Sequence, residues 1–122
     1  MPSAYRDAVN HALAELRGGH VVAQRWEDGR LIFYPRGSRL GHAADVPSWE
    51  RVTHGTVVAV TTMREHSYPD HQAETPFTLV LVEVEDARLI CRLAASTAVP
   101  AVGSTVALHA DVHSGAVRII AS

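Results

Sequence analysis

Four positions of this chain have the spacing of a tetrahedral zinc site without its ligands. Residues 25 and 28 stand one C-x-x-C step apart, as do residues 39 and 42, with 10 residues between the pairs, but they are Arg25, Asp28, Arg39 and His42. A guanidinium stays protonated and cannot coordinate a cation, so one carboxylate and one imidazole remain, too few to close the site. No zinc is therefore expected. The eight histidines offer little more. His109 and His113 lie four residues apart, which on a strand separates them by roughly 13 Å, too far to share a metal. Asp111, between them, is expected to point away from both. Cys91 has no second cysteine to pair with and sits in a β-rich run, where a small buried thiol is the usual case. No G-x-S-x-G elbow, G-x-x-x-x-G-K-S/T phosphate loop, G-x-G-x-x-G turn or H-E-x-x-H helix is present. The chemistry-bearing residues thus point to a binding or supporting module, with no catalytic residue expected.

The elements that hold these positions are read from periodicity. Residues 21–26 and 31–34 are strand-like runs meeting at Asp28-Gly29, a dipeptide that accepts the positive φ of a hairpin turn. Residues 35–42 read as an irregular loop. Ahead of the hairpin, Tyr5, Ala8, Val9, Ala12, Leu13 and Leu16 recur at intervals of three and four, which predicts a helix over 4–16 stopped by Gly18-Gly19. Its apolar stripe must cover either the chain's own barrel or a partner.

From Trp49 onward the sequence is β-rich. Strands are expected at 57–62, with Gly55 marking a bulge or close backbone approach, and at 77–84, an apolar run suited to a closed barrel. Further strands follow at 89–93 after a three-residue turn at Glu85-Asp86-Ala87, from 105 to about 108, and at 117–121 after Ser114-Gly115. A long polar loop, 63–75, carries His66. Five such strands without intervening helices suit a small closed barrel, since closure removes exposed edges. The fold class is mainly β: an N-terminal helix (1–19), a metal-free ribbon hairpin (20–47) and a five-stranded OB-fold barrel (48–122).

Composition narrows the partners. The chain has 122 residues and a net charge of −2, and all its basic residues are arginines. A nucleic-acid module of this size ordinarily carries a basic stripe, which is missing. No apolar run reaches the length of a membrane span, and the N-terminus lacks the basic-then-apolar order of a signal peptide, so a cytoplasmic protein is expected.

Taken together, these segments resemble the family of OB-fold proteins with an N-terminal rubredoxin-like zinc ribbon that associate with acyl-CoA enzymes. The resemblance runs over nearly the whole chain. It is carried by the helix, then Arg25-Trp26-Glu27-Asp28-Gly29 in place of C-x-x-C-G, Phe33-Tyr34-Pro35-Arg36, Arg39-Leu40-Gly41-His42 in place of the second C-x-x-C, Trp49-Glu50-Arg51 and Thr53-His54-Gly55-Thr56-Val57. Pro76-Phe77 and the Val99 to Val106 segment complete it. The chain departs from the family pattern in all four cysteines, in Thr53 where a glycine is usual, and in Ala87 where a turn glycine is common.

The resemblance implies a non-catalytic accessory subunit of a thiolase-like condensing, cleaving or acyl-transferring enzyme, in a hetero-oligomer. It implies that the chain shares acyl-CoA with that partner and holds no cofactor alone. Docking is expected through the helix residues Tyr5, Val9, Leu13 and Leu16. Contacts to CoA or partner are expected from Arg36 and Arg51, whose guanidiniums pair phosphates or carboxylates bidentately, and from Tyr34, Trp49, Phe77 and His66. Without its metal the ribbon must be held otherwise: Asp28 is expected to pair with Arg39 or Arg25, and Trp26, Ile32 and Phe33 to pack in place of the crosslink. Two other classes of function are weighed against this, a single-stranded nucleic-acid-binding OB module and an autonomous acyl-CoA or lipid-binding protein.

Overall fold

A computed structural model describes residues 4–34, 47–64 and 76–122. The chain begins with helix α1 (Ala4–Arg17), whose three- and four-residue apolar spacing turns Ala8 and Ala12 inward and lays Leu16 against the main core. The helix touches β1 (Val22–Arg25), β7 (Thr105–His113) and β8 (Ala116–Ala121), so its stripe covers its own chain over much of its length.

Two sheets follow. In the first, β1 lies between β2 (Leu31–Ile32) and β3 (Ser48–Arg51), antiparallel to both. The β1–β2 turn closes where the sequence placed it. Gly29 takes φ 86°, its N–H donates to Trp26 O at 2.9 Å, and the Arg30 N–H donates to Asp28 Oδ1 at 3.0 Å. The strand over 31–34 is shorter than its sequence suggests, with only Leu31 and Ile32 pairing. The Trp49 segment also differs from expectation: instead of opening the barrel, it is the third strand of this small sheet, with Trp49 opposite Gln24. Periodicity cannot choose between two neighbouring sheets; that choice depends on which backbone edge is free to pair.

The second sheet closes on itself in the order β4 (His54–Met63), β5 (Phe77–Val84), β6 (Ala87–Leu93), β8, β7. All neighbours are antiparallel except β6 and β8. This is the OB-like five-stranded barrel expected from the sequence. Alternation fills it: Val80 and Val82 of β5, Leu89, Cys91 and Leu93 of β6, and Val106, Leu108 and Ala110 of β7 all point inward. The apolar run of β5 therefore has one fully buried face, with Leu79 and Leu81 half-buried on the other.

Closure depends on a bend in β4. Residues 54–56 pair with β7 while 56–63 pair with β5, and the register shifts between Val57 and Ala59. Gly55 is buried at the crossing, and a Cβ there would lie inside the contact distance of Val82 Cγ1. Glycine leaves the room that the Val82 and Val84 side chains occupy there. The β5–β6 turn is two residues rather than three: Ala87 already pairs with Val84, and Glu85 takes φ 54°. Strand β7 runs to His113, well past the expected 108, because β8 pairs with it as far as Ala116.

Candidate functional site

Two polar constellations stand out, one structural and one lining a groove. The first is built on Arg25, the first of the four positions that have zinc-ligand spacing in the sequence. Its side chain is about one-quarter exposed and makes two forked ion pairs. Nε and Nη2 donate to Glu50 at 2.7 and 3.0 Å, while Nη1 and Nη2 donate to Glu85 at 2.8 and 2.6 Å. Nη1 also donates to Gly29 O at 2.7 Å. One guanidinium thus ties the hairpin turn, strand β3 and the β5–β6 turn of the barrel. The fork geometry of arginine suits two carboxylates at once. Hydrogen bonds from Arg25 hold the Glu50 and Glu85 carboxyls below the ordinary glutamate range, and the acids in turn raise the Arg25 pKa. The expected pairing of Asp28 with Arg25 is therefore replaced by Glu50 and Glu85. Arg39 and His42 lie outside the described residues, as does the Asp28–Arg39 alternative. Among the described residues, no three His, Cys, Asp or Glu side chains gather into a metal-binding group.

The apolar half of the crosslink expectation is visible in Trp26, which is 1% exposed, and in Phe33, which packs on the main core; Ile32 is half-buried. The helix is fixed to the small sheet by side chains. The His11 and Trp49 rings stack with centroids 4.3 Å apart, and Arg51 Nε donates to Glu15 Oε2 at 3.0 Å. That hydrogen bond holds the Glu15 carboxyl below its usual range.

The second constellation lies on the outer face of the barrel. A groove of about 550 Å³ runs between Pro76-Phe77, the outer side of β6, residues 94–99 and the outer side of β7 and β8. Phe77 forms part of its floor, with the Arg92 guanidinium 4.3 Å from the ring centroid. Opposite stand His109, Asp111 and His113, all on one face of β7. This corrects the sequence expectation for Asp111: residues two apart on a strand share a face, so Asp111 lies on the same side as both histidines. Asp111 is paired across the ladder with Arg118, which donates from Nε to Oδ1 at 3.1 Å and from Nη2 to Oδ2 at 3.0 Å. The Arg118 hydrogen bonds hold the Asp111 carboxyl below the ordinary aspartate range; the charges of Arg118, His109 and His113 act in the same direction. Val99 supplies exposed apolar lining, while Leu93 and Ile120 border the groove but are almost wholly buried.

The structure brings few of the sequence-chosen contact residues together. Phe77 lines the groove. Arg51 and Trp49 are engaged with the helix on the small sheet, and Tyr34 is exposed at the end of the described ribbon. Arg36 and His66 lie outside the described residues. Of the helix residues, Leu16 packs on the core, Val9 and Leu13 are half-buried, and Tyr5 is 60% exposed. The sequence reading missed Arg92 and Arg118, and it weighed His109 and His113 only as metal ligands, with Asp111 on the wrong face. The signal for the row was the two-residue spacing of polar side chains along β7, alternating with Leu108 and Ala110; nothing local marked Arg92 on β6 or Arg118 on β8. Cys91 is buried as expected, and burial pushes its thiol up to about 12, which makes it a poor nucleophile.

Comparison of the sequence with protein-family models and with curated proteins gives no match.

Proposed function

We propose that this chain is a non-catalytic accessory subunit of a thiolase-like acyl-CoA enzyme, acting in the cytoplasm. In this reading the helix and the metal-free ribbon dock onto the partner, and the barrel face beside Phe77 borders the acyl-CoA. The observation that supports it is the order of parts: a helix, a three-stranded sheet that carries Arg25, the first of the ligand-spaced positions, and a closed OB-like barrel, in one chain. The Arg25 clamp adds support, because it gives a ribbon without zinc a fixed attachment to the barrel. Exposed Tyr5 and Tyr34 leave aromatic surface on the helix and on the ribbon, the residue type enriched at protein interfaces.

The reading is tested by tagging the chain in its native host, isolating it at physiological salt and identifying what co-elutes on sizing. A stoichiometric thiolase-like protein is expected, and a Tyr5→Asp variant should lose it while keeping its own thermal melt. A chain that elutes as a stable monomer with no acyl-CoA enzyme refutes the reading. Elemental analysis should find well under one zinc per chain; a full equivalent refutes the metal-free ribbon.

A further inference from the structure

We propose that the outer face of β4, β5 and β6 is the surface on which two copies of this chain associate. An antiparallel strand with one solvated face alternates apolar-in and polar-out. Strand β5 breaks that rule: Val80 and Val82 fill the barrel, yet Leu79 and Leu81, on the opposite face, are apolar as well. Across the ladder Leu81 stands between Ala59 of β4 and Ile90 of β6, and Leu79 stands beside Thr61. These five residues line a shallow depression of about 260 Å³, with Ile90 59% exposed at its side. An apolar strip of this kind on a barrel exterior marks a contact surface. The charges bordering it select the partner. One row along the same two strands, Glu83 stands opposite Arg88, whose Nε donates to Glu83 Oε2 at 3.2 Å, and both side chains stay more than one-third exposed. The row on the other side, Leu79 and Arg92, bounds the strip. A two-fold axis running between β5 and β6, along the strands, exchanges the two strands and keeps each row in place. It sets Leu81 of one protomer over Ile90 of its partner, and Glu83 over Arg88, twice each. The surface is thus complementary to itself in its apolar row and in its charged row, which is what an isologous contact requires. A partner of a single charge sign would meet one member of the Glu83–Arg88 pair as a like charge, and a small apolar ligand would make no use of the pair. Strand β6 is seven residues long, so a face three strands wide covers roughly 300 Å² in projection, well short of the about 800 Å² per partner of a standard stable interface. The dimer is therefore weak and concentration-dependent, not obligate. It does not depend on the accessory-subunit reading.

Sedimentation velocity on the full chain, from about 10 µM to about 1 mM, reads the association directly. The weight-average mass is expected to rise toward twice that of the monomer. Ile90→Asp, at an exposed position, should weaken dimerisation by about tenfold or more, since the burial of an isoleucine side chain is lost at both of its places in the interface. Glu83→Arg and Arg88→Glu should each stay monomeric over the same range, and an equimolar mixture of the two should dimerise, because the like-charged pairs become opposite ones. These two variants keep the test open if Ile90→Asp melts early. Tyr5→Asp, in the helix, should dimerise as the parent does. The proposal is overturned if the chain keeps the monomer's mass at about 1 mM, if a folded Ile90→Asp dimerises as tightly as the parent, or if mixing the two charge variants restores nothing. It is equally overturned if a monomeric parent takes up an apolar fluorophore that Ile90→Asp does not, which makes the occupant a small molecule. A one-to-one complex with another protein that Ile90→Asp breaks, formed by a chain that does not dimerise, overturns it likewise. A dimer in a chain that has no enzyme partner keeps this surface and removes the subunit reading; an enzyme partner held by a monomeric chain does the reverse.

Discussion

Replacing Gly55 by alanine tests the closure of the barrel directly. An ideal Cβ at this position falls within the contact radius of Val82 Cγ1, 3.1 Å from Val84 Cγ2 and 3.3 Å from Glu83 O. Val82 is fully buried, so its methyl cannot swing away without displacing other core side chains. Gly55 does not sit at positive φ, so alanine meets no backbone penalty there, and the cost is overpacking, about 1–3 kcal/mol. Val82→Ala alone removes two methyl groups; at about 0.8 kcal/mol each plus a cavity contribution, it should cost about 2–3 kcal/mol. In the double variant the new Cβ enters the space that Val82 Cγ1 has left. The pair should therefore be less destabilising than the sum of the singles, by about 1–3 kcal/mol. Equilibrium unfolding in urea at 25 °C, followed by the fluorescence of Trp26 and Trp49, measures the four free energies, with an unchanged m-value certifying the same transition. If the two substitutions add within about 0.5 kcal/mol, or if Gly55→Ala alone is neutral, the close approach of β4 and β5 is not what requires glycine.

Other outcomes follow from the same geometry. Arg25→Met should lower the melting temperature at pH 7. Since the Glu50 and Glu85 carboxyls are held below their unfolded values, their contribution is complete above the ordinary glutamate pKa of about 4.3 and is lost as pH falls through the lower folded values. The gap between variant and parent should therefore shrink on acidification below about pH 4; a gap independent of pH from 7 to 3 would contradict the clamp. Trp26→Ala should cost about 3–5 kcal/mol by urea unfolding, because the indole is almost completely buried; a loss below about 1 kcal/mol would mean that the ribbon is held without it. The Cys91 thiol, buried and pushed up to about 12, should not react with a disulfide reagent at pH 8 until denaturant is added, and immediate reaction in buffer would show that the barrel opens readily.

Local pattern determined much of this architecture. The helix follows from the apolar recurrence at Ala8, Ala12 and Leu16, the hairpin from Asp28-Gly29, and the barrel from five short strands without intervening helices. Gly55, just before a β-branched run, was legible as a bulge or a close approach, since glycine there has few other uses. Tertiary structure decided what pattern cannot carry. Trp49 has the same local environment in sequence whether its strand joins the ribbon or the barrel; only the free edge of β1 settles it. Arg25 appeared in the sequence as a lost metal ligand, and its role depends on Glu50 and Glu85, which lie 25 and 60 residues away and reach it only after both sheets have formed. The groove has the same origin. Phe77, Arg92, Asp111 and Arg118 come from four different strands, and the spacing along any one strand says nothing about which face of a closed barrel will bring them side by side.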